Sequence, residues 1–321
     1  MDRLTVDGMT HHDAPAHGPH HAHPDPHHRH GEQPHGEHPH HHGGGAAHGH
    51  HHDHGGDAAH AGLLELEARA FGPALEEALT RAVTALGPSR PRNVADLGSG
   101  PGSGTLTLAR HFPEARVTAV DLSPAMLDRV TAAAREAGLG DRVRTLRADL
   151  DAGLPAGLAP LDLVWASSSL HHVADPAALL RHLHGAIAPG GLLVVVESDG
   201  MPRFLPADAE AGRPGLEDRC RDIAARAGWN AHPDWRDDME RAGFGPVERW
   251  TVTAEGPAGE ESAHYAQQVL GRFRVALEER LAPDDLAALD RLLTPGDPAH
   301  LGHRRDLVPR SARTVWAARR P

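Results

Sequence analysis

The stretch Val94-Ala-Asp-Leu-Gly-Ser-Gly-Pro-Gly-Ser-Gly104 decides the fold of this chain. A short apolar run ends there in an acid, and a glycine-rich turn leads into the next helix. Gly98, Gly100 and Gly102 carry no Cβ, so the backbone of the turn can approach a ligand closely. The helix that follows offers free N–H groups in its first turn. This combination is typical of a nucleotide-like cofactor held at the carboxyl end of a first parallel strand.

The spacing of the glycines argues against a dinucleotide cofactor. A dinucleotide fingerprint requires a third glycine three residues after the second. That register places Ser103 after Gly100 and Thr105 after Gly102. The Tyr-x-x-x-Lys pair of many nicotinamide-dependent oxidoreductases is also missing, because the chain has one tyrosine, Tyr265, and no lysine. An oxidoreductase that uses nicotinamide is therefore disfavoured.

The beginning of the chain differs in composition from the rest. Of the 29 histidines in 321 residues, 20 lie between His11 and His60, interspersed with Gly, Pro, Asp and Ala. This segment has almost no large apolar residues, so it cannot bury enough surface to offset its ordering entropy. We expect residues 1–61 to form a disordered tail and residues 62–321 to form one domain.

Histidine runs in this tail are candidate metal ligands. Imidazole nitrogens bind Ni²⁺, Zn²⁺ or Cu²⁺, and His50, His51, His52 and His54 form one such run, outside the catalytic core. Three interpretations stay open: a low-complexity extension, metal storage or sensing, and a tail that gains positive charge below roughly pH 6.5. The second leads to an alternative function for the chain, a metal-handling protein on a degenerate scaffold.

Charge and cysteine content exclude several classes of partner and site. The formal net charge of −12 argues against a nucleic-acid partner, because phosphate contacts need a clustered basic surface. The single cysteine, Cys220, excludes an intrachain disulfide and a multi-cysteine metal site. We find no apolar segment of about 20 residues and no apolar signal region at the polar N-terminus. We therefore expect a soluble cytoplasmic protein with neither a membrane nor a nucleic-acid partner.

Strands and helices alternate along the chain after a first helix over residues 63–86, which Pro73 splits or restarts. Such alternation predicts βαβ units and a mainly parallel sheet with right-handed crossovers. The predicted strands are 93–97, 116–121, 143–146, 161–166, 192–196, 247–253 and 314–318. The predicted later helices are 104–111, 124–137, 176–188, 217–227, 234–242, 262–281 and 284–293.

Two acidic positions follow the glycine turn at regular intervals. Asp121 ends the second strand, some 20 residues beyond the turn, where a carboxylate can accept hydrogen bonds from both hydroxyls of a ribose. The alternative is a turn residue or a charge that stabilises the start of the next helix. Asp149 and Leu150 follow the third strand, and an ordinary solvated loop aspartate is the alternative there.

Two more motifs complete the series. The fourth is Asp162-Leu-Val-Trp-Ala-Ser-Ser-Ser-Leu-His-His-Val173, followed by Asp175-Pro176 at the start of a helix. The fifth is Pro189-Gly190-Gly191, directly before the fifth strand. Together the five motifs, over residues 93–198, resemble those of the class I S-adenosylmethionine-dependent methyltransferases.

The resemblance implies an enzyme that transfers a methyl group from S-adenosyl-L-methionine to a small-molecule acceptor. It implies a Rossmann-like α/β fold, with a mainly parallel seven-stranded sheet flanked by helices and with strands six and seven paired at its edge. Residues 90–198 would form the core and residues 199–313 the substrate and lid elements. The implied cofactor-binding residues are Asp96, Gly98, Gly100, Gly102, Asp121, Leu122, Asp149, Leu150 and Ser167. Among them, Asp149 resembles the acceptor of the adenine amino group, and Ser167 falls near the methionine end.

Methyl transfer from a sulfonium depends mainly on alignment of the nucleophile, the methyl carbon and the sulfur. A hydroxyl or protonated amine acceptor also benefits from a base. His171 and His172 lie where the active site opens, and both suit that role. The alternative is structural, with one histidine capping or packing against the following helix, and nothing in the sequence favours one histidine over the other.

Two motifs that do not occur after the fourth strand narrow the class of methyl acceptor. No Asn/Asp-Pro-Pro-aromatic motif follows this strand, which disfavours an enzyme that methylates nucleic-acid or protein amide nitrogens. No Pro-Cys pair follows it either, which disfavours methylation of cytosine C5 by a cysteine nucleophile. A small-molecule acceptor is therefore expected. Phe204, Trp229, Trp235 and Phe244 either line an apolar acceptor pocket or belong to the core.

Overall fold

The computed structural model describes residues 54–86, 90–158, 160–206 and 213–321, and its centre is one seven-stranded sheet. The strands are β1 (Asn93–Leu97), β2 (Arg116–Asp121), β3 (Val143–Arg147), β4 (Leu161–Ser167), β5 (Ile187–Ser198), β6 (Glu248–Glu255) and β7 (Arg310–Arg319). Their order across the sheet is β3-β2-β1-β4-β5-β7-β6. Strands β1 to β5 are parallel, whereas β7 runs antiparallel to both of its neighbours. The prediction of a mainly parallel seven-stranded α/β sheet, with the last two strands paired at the edge, is confirmed.

Helices cover both faces of this sheet. They are α1 (His54–Leu86), α2 (Ser103–His111), α3 (Pro124–Glu136), α4 (Pro176–Ala186), α5 (Leu216–Arg226), α6 (Arg236–Arg241), α7 (Glu260–Ala276) and α8 (Pro283–Leu293). The start of α3 is the one that the sequence predicts, because Ser123 accepts a hydrogen bond from the Met126 N–H and Pro124 occupies the first position. Helices α7 and α8 form the helical insertion between β6 and β7.

The strand order creates a crevice at one edge of the sheet. β1 lies between β2 and β4, so the chain leaves β1 in one direction and returns on its other side. Ligands of open parallel sheets bind at such a reversal, beyond the carboxyl ends of the strands. The glycine turn follows β1 directly, and it therefore lies at this point.

Three apolar clusters hold the elements together. One lies between the sheet and the second half of α1 with α2, around Leu79, Leu108 and Val194. Another lies on the opposite face, between the sheet and α4 with α6. The third joins the first half of α1 to α5, α7 and α8, around Phe71 and Phe273. Because α1 contributes to two clusters, it ties the helical insertion to the sheet.

Several boundaries differ from those that the sequence predicts: β5 begins five residues earlier, β7 begins four residues earlier, and α7 ends five residues earlier. The two that concern α1 and α4 have a physical explanation. Helix α1 begins at His54, inside the segment assigned to the tail, and it continues through Pro73 without a break. Pro73 lies on the exposed side of the helix, so water can reach the carbonyl that loses its N–H partner, while Phe71 and Ala74 on either side are buried. The second boundary is that of α4, which ends at Ala186, because Pro189-Gly190-Gly191 lies within β5.

No helix in the described ranges is both long enough and apolar enough to cross a membrane.

The packing of the helical insertion predicts that substitutions at two positions of α7 change the free energy of unfolding by different amounts. Phe273 is fully buried in the third cluster, whereas Val275 is 76% exposed. Phe273→Ala should lower the free energy of unfolding by about 3–5 kcal/mol through lost burial and a cavity. Val275→Ala should change it by less than about 0.5 kcal/mol. Urea denaturation of both variants measures the difference, and equal effects would show that α7 does not pack as described.

Candidate active site

The glycine turn after β1 is fixed by three contacts to neighbouring segments. The Ser99 N–H donates to the Val120 carbonyl at 3.0 Å, and the Gly100 N–H donates to Asp121 Oδ2 at 2.9 Å. A Cβ on Gly98, which has φ of 63°, would lie 2.4 Å from Cβ of Ser169. Only glycine therefore fits at this position, both for its backbone conformation and for the close approach of the segment after β4.

Asp121 joins the first and second motifs. Its Oδ1 accepts a hydrogen bond from the Ser123 N–H at 2.9 Å, while Oδ2 accepts from Gly100. The carboxylate thus stabilises the glycine turn and the start of the next helix, which is the role that the alternative interpretation assigns to Asp121. Each oxygen still has a further lone pair, and the side chain is only half-buried, so a ligand with two hydroxyls can bind to it as well.

The surroundings of the turn fit the nucleoside cofactor that the resemblance implies. Ser99 is buried, and its Oγ has no hydrogen-bond partner among the described residues. Helix α2 begins after Gly102 with neither a side-chain cap nor an acidic residue in its first turn. Beside Asp121, Leu122 is a large apolar residue that is 42% exposed. Free donors, an unpaired hydroxyl and an exposed apolar surface are what the methionine and adenine ends of the cofactor require.

The remaining predicted cofactor residues lie at the same edge of the sheet. Asp149 precedes a short 3-10 turn (Leu150–Ala152), and its Oδ1 accepts from the Asp151 N–H at 3.0 Å. Leu150 is partly buried against the cluster under β4. Ser167 is the last residue of β4 and pairs with Val196 of β5. All three lie at or just beyond the carboxyl ends of parallel strands.

Asp96 lies deeper than the other predicted residues. It is 2% exposed on β1, and its Oδ2 accepts a hydrogen bond from Thr105 Oγ1 of α2 at 2.6 Å. Burial raises the pKa of the Asp96 carboxyl to about 7, with a smaller contribution from Asp121, and the Thr105 hydrogen bond opposes this rise. The structure thus places Asp96 beneath the turn, where it joins β1 to α2.

The two candidate bases differ in their surroundings. His171 Nδ1 lies 2.7 Å from Glu197 Oε2 of β5, and the His171 N–H donates to the other oxygen at 3.3 Å. The His171 side chain is 13% exposed and that of Glu197 is fully buried. His172 is exposed, and its ring centroid lies 4.0 Å from that of His171. The ring of His171 is thus bound to a buried carboxylate.

A second charged group is buried at the same edge. Arg313 of β7 is 4% exposed, and it pairs with Glu67 of α1 at 2.6 Å. Its guanidinium also donates to Ser198 Oγ at 3.2 Å and lies 3.5 Å from Ser168 Oγ, while its Nε has no partner among the described residues. Ser168 has φ of 51°, a conformation that costs energy for a residue with a side chain.

The first half of α1 covers the glycine turn. A Cβ on Gly100 would lie 3.5 Å from Cδ1 of Leu64. Glu65 pairs with Arg129 of α3 at 2.6 Å. One turn after Glu65, Arg69 pairs with Glu261 of α7. This helix therefore closes one side of the crevice.

The four candidate pocket aromatics belong to the core instead. Phe204 is buried in the third cluster, and Trp229 packs against it. Trp235 and Phe244 are buried in the cluster under α4, on another side of the sheet. The four side chains therefore do not line one pocket, and the alternative, that they are core residues, is correct. Cys220 is also buried.

Three of the four candidate metal ligands in the tail lie outside the described residues. His50, His51 and His52 lie outside the described residues, and His54 is the first residue of α1. In the part of the chain that the structure describes, no group of three or more His, Cys, Asp or Glu side chains can hold a metal ion. Nothing here supports the metal-handling alternative.

The sequence missed Glu197, Arg313 and Glu67, which together with His171 form the polar part of the site. Glu197 can be identified from the sequence, because it is an acid that directly follows the fully buried run Leu192-Leu-Val-Val-Val196 of β5. Arg313 and Glu67 carry no such signal, because they stand far from the motifs and meet through the fold.

The position of Asp96 predicts a pH-dependent effect on stability. Since its pKa in the folded protein lies near 7 and above the ordinary value of 3.8, the folded protein keeps a proton that the unfolded chain loses. The stability that this group contributes is full below about pH 4 and is lost as the pH rises through 7. Asp96→Asn stays neutral, so its free energy of unfolding relative to the wild type should rise by up to about 1.4 kcal/mol per pH unit between pH 5 and pH 7.

Chemical denaturation at several pH values measures this difference. Asp128→Asn, at an exposed position of α3, is the control and should show no such trend. A pH-independent difference for Asp96→Asn would contradict the assignment.

Comparison with known proteins agrees with the motifs. A family model described as a methyltransferase domain matches residues 94–191. A trans-aconitate 2-methyltransferase of Methylobacterium radiotolerans is 34% identical over 164 residues, which cover 50% of this chain and 60% of that protein. One of Paracidovorax citrulli is 38% identical over 146 residues, covering 44% and 48%. The chain thus spans only about half of the length of these curated relatives.

Among solved structures, a putative sarcosine dimethylglycine methyltransferase from Galdieria sulphuraria aligns with a TM-score of 0.46 at 17% identity, covering 76% of this chain and 84% of that one. The matched model covers the segment that carries the five motifs, and strands β1 to β4 with most of the parallel sheet lie in or beside it. Residues 94–191 are therefore similar to a methyltransferase domain, and their motifs resemble those of the class I S-adenosylmethionine-dependent enzymes.

Proposed function

We propose that the protein is an enzyme that transfers a methyl group from S-adenosylmethionine to a small-molecule acceptor. The observation that carries the proposal is the pair of hydrogen bonds by which Asp121 holds Gly100 and Ser123. This contact places the acid of the second motif against the glycine turn of the first, at the point where the strand order reverses. The matched methyltransferase family model covers the same segment.

Each part of the cofactor has candidate partners in this arrangement. Asp121 binds the ribose hydroxyls, Leu122 and Leu150 contact the adenine ring, and Asp149 accepts from its amino group. The turn from Gly98 to Gly102 and the start of α2 bind the methionine end, near Ser167. When bound, S-adenosylmethionine supplies an electrophilic methyl group on a sulfonium with a neutral leaving group.

The residues of this chain contribute alignment and exclusion of water. Leu64 lies over the glycine turn, and the Glu67–Arg313 pair holds this part of α1 against the beginning of β7. A closed crevice keeps the acceptor and the methyl donor in one orientation, which is the main source of rate enhancement for such a displacement.

The acceptor side is built from α1, the segment after β5 and the insertion between β6 and β7. The names of the curated relatives refer to trans-aconitate, a carboxylate acceptor. Trans-aconitate is therefore the first compound for an assay, alongside small molecules that bear hydroxyl and amino groups.

Calorimetric titration of the full chain with S-adenosylhomocysteine, in the presence of a chelator, tests the cofactor assignment. We expect saturable binding, and no binding of NAD at the same concentrations. The absence of binding by S-adenosylhomocysteine would overturn the proposed function.

Variants of Asp121 test its role in this binding. Asp121→Ala should weaken binding by ~1–3 kcal/mol, or roughly 5- to 150-fold in the dissociation constant, because charge-assisted hydrogen bonds are lost. Asp121→Asn keeps one acceptor oxygen and should have a smaller effect. Asp128→Asn, on the exposed side of α3, is the control that should bind as the wild type does. Unchanged affinity in Asp121→Ala would remove the ribose assignment.

A further inference from the structure

The pairing of Glu197 with His171 is the least expected feature of the site. Glu197 is fully buried near the end of β5, and both of its oxygens bind His171, one through the ring and one through the backbone N–H. An ionised carboxylate away from water is costly unless it is paired and hydrogen-bonded. The ring of His171 is the group that meets this requirement.

This pairing decides which nitrogen of His171 carries the proton. A carboxylate only accepts hydrogen bonds, so Nδ1 of His171 must be the protonated nitrogen that donates to it. In the neutral ring the proton is then absent from Nε2, which is left as the basic nitrogen. A carboxylate in this position also stabilises the charged ring that forms when Nε2 takes up a proton.

The location of the ring agrees with a role in the reaction. His171 lies two residues after Ser169, whose hydroxyl donates to the Leu97 carbonyl at 2.8 Å and whose Cβ packs on the glycine turn. The same short segment thus contacts the cofactor turn and carries the ring of His171. Arg313 and Ser168 lie at the same edge of the sheet.

We infer that Glu197 is a positioning residue that holds His171 as the general base, and that the acceptor atom therefore carries a proton, as in a hydroxyl or amino group. This inference rests on the proposed function. A carboxylic acid with an ordinary pKa near 4 has already lost its proton at neutral pH and needs no base. The inference therefore separates the acceptor of this chain from the carboxylate acceptor in the names of its relatives.

The proton and electron balance is simple. The acceptor heteroatom gives its proton to Nε2 of His171 and forms a bond to the methyl carbon, while the electron pair of the breaking methyl–sulfur bond stays on sulfur. The imidazolium then returns its proton to solvent.

Other ionisable groups surround the dyad. His172 lies against the ring of His171, and beyond Glu197 the Asp199 carboxylate accepts from Thr314 and lies 3.6 Å from His232. Arg313 lies near the beginning of β7 and pairs with Glu67. Since several of these groups titrate, the pH profile has to be compared between variants rather than interpreted for the wild type alone.

The first test is the tautomer of His171, which needs no acceptor. Nitrogen-15 NMR of histidine-labelled full chain, assigned by difference from His171→Gln, should show a neutral ring protonated at Nδ1. A neutral ring protonated at Nε2 would overturn the inference, whatever the activity. This measurement on the wild type does not depend on whether Glu197→Gln folds.

The second test is kinetic, with radiolabelled methyl donor and a panel of alcohols, phenols, amines and trans-aconitate. We expect turnover of a compound from the first three groups and a rate that rises with pH. His171→Gln should lower kcat by ~10²–10⁴-fold with little change in KM. Glu197→Gln should lower kcat by at least about 10-fold and move the rising limb to lower pH, because a neutral amide no longer stabilises the protonated ring.

The double variant distinguishes positioning from a purely structural role. If Glu197 acts through His171, adding Glu197→Gln to the His171→Gln variant should not lower kcat any further. His182→Gln, at an exposed position of α4, is the control. Circular dichroism and retained binding of S-adenosylhomocysteine identify the variants that fold.

Failure of this inference and failure of the proposed function have different signatures. Methylation of trans-aconitate at the wild-type rate by His171→Gln would overturn the dyad while leaving the methyltransferase assignment in place. Loss of all binding of S-adenosylhomocysteine by the wild type would instead remove the proposed function itself.

Discussion

The close approach of Ser169 to Gly98 is the constraint on which the site depends. It brings the segment after β4 against the turn after β1, at the reversal of strand order, and the bond from Ser169 Oγ to the Leu97 carbonyl fixes it there. A side chain at position 98 would separate the two segments. The glycine turn and the ring of His171 would then no longer share one crevice, so a single steric condition couples cofactor binding to the acceptor side.

The buried charges at this edge of the sheet are all compensated, each in a different way. Asp96 tends to keep its proton and so avoids the charge, since burial raises its pKa to about 7. Glu197 is bound to His171, and Arg313 is bound to Glu67. Removing one partner of such a pair leaves an uncompensated buried charge, which costs several kcal/mol. The same groups that give the site its polarity therefore also stabilise the ends of β1, β5 and β7.

The sequence predicts the parts of this molecule that follow local rules. β1, β2 and β4 contain buried apolar runs, and Ser123 and Asp175 occupy helix N-caps, so the bounds of these strands and the starts of α3 and α4 agree closely with the structure. The early start of β5 was not predicted, because Pro189-Gly190-Gly191 lies inside the strand. The continuity of α1 through Pro73 was not predictable, because it depends on packing of both halves against different clusters. The Glu67–Arg313 pair joins residues that are 246 positions apart, and only the fold brings them together.

Helix α1 is held over the crevice by packing more than by its charges. The Glu65–Arg129 and Arg69–Glu261 pairs are between 37% and 54% exposed, and exposed pairs contribute about 0–1 kcal/mol each. Leu66 and Phe71, in contrast, are buried, and each fully buried apolar side chain contributes about 1.5–3 kcal/mol. The Glu67–Arg313 pair, in which Arg313 is buried and Glu67 is partly buried, instead fixes the register of the helix, because a shifted helix would leave the guanidinium of Arg313 without its carboxylate. Apolar packing therefore keeps the helix in place, and one partly buried ion pair fixes its register against β7.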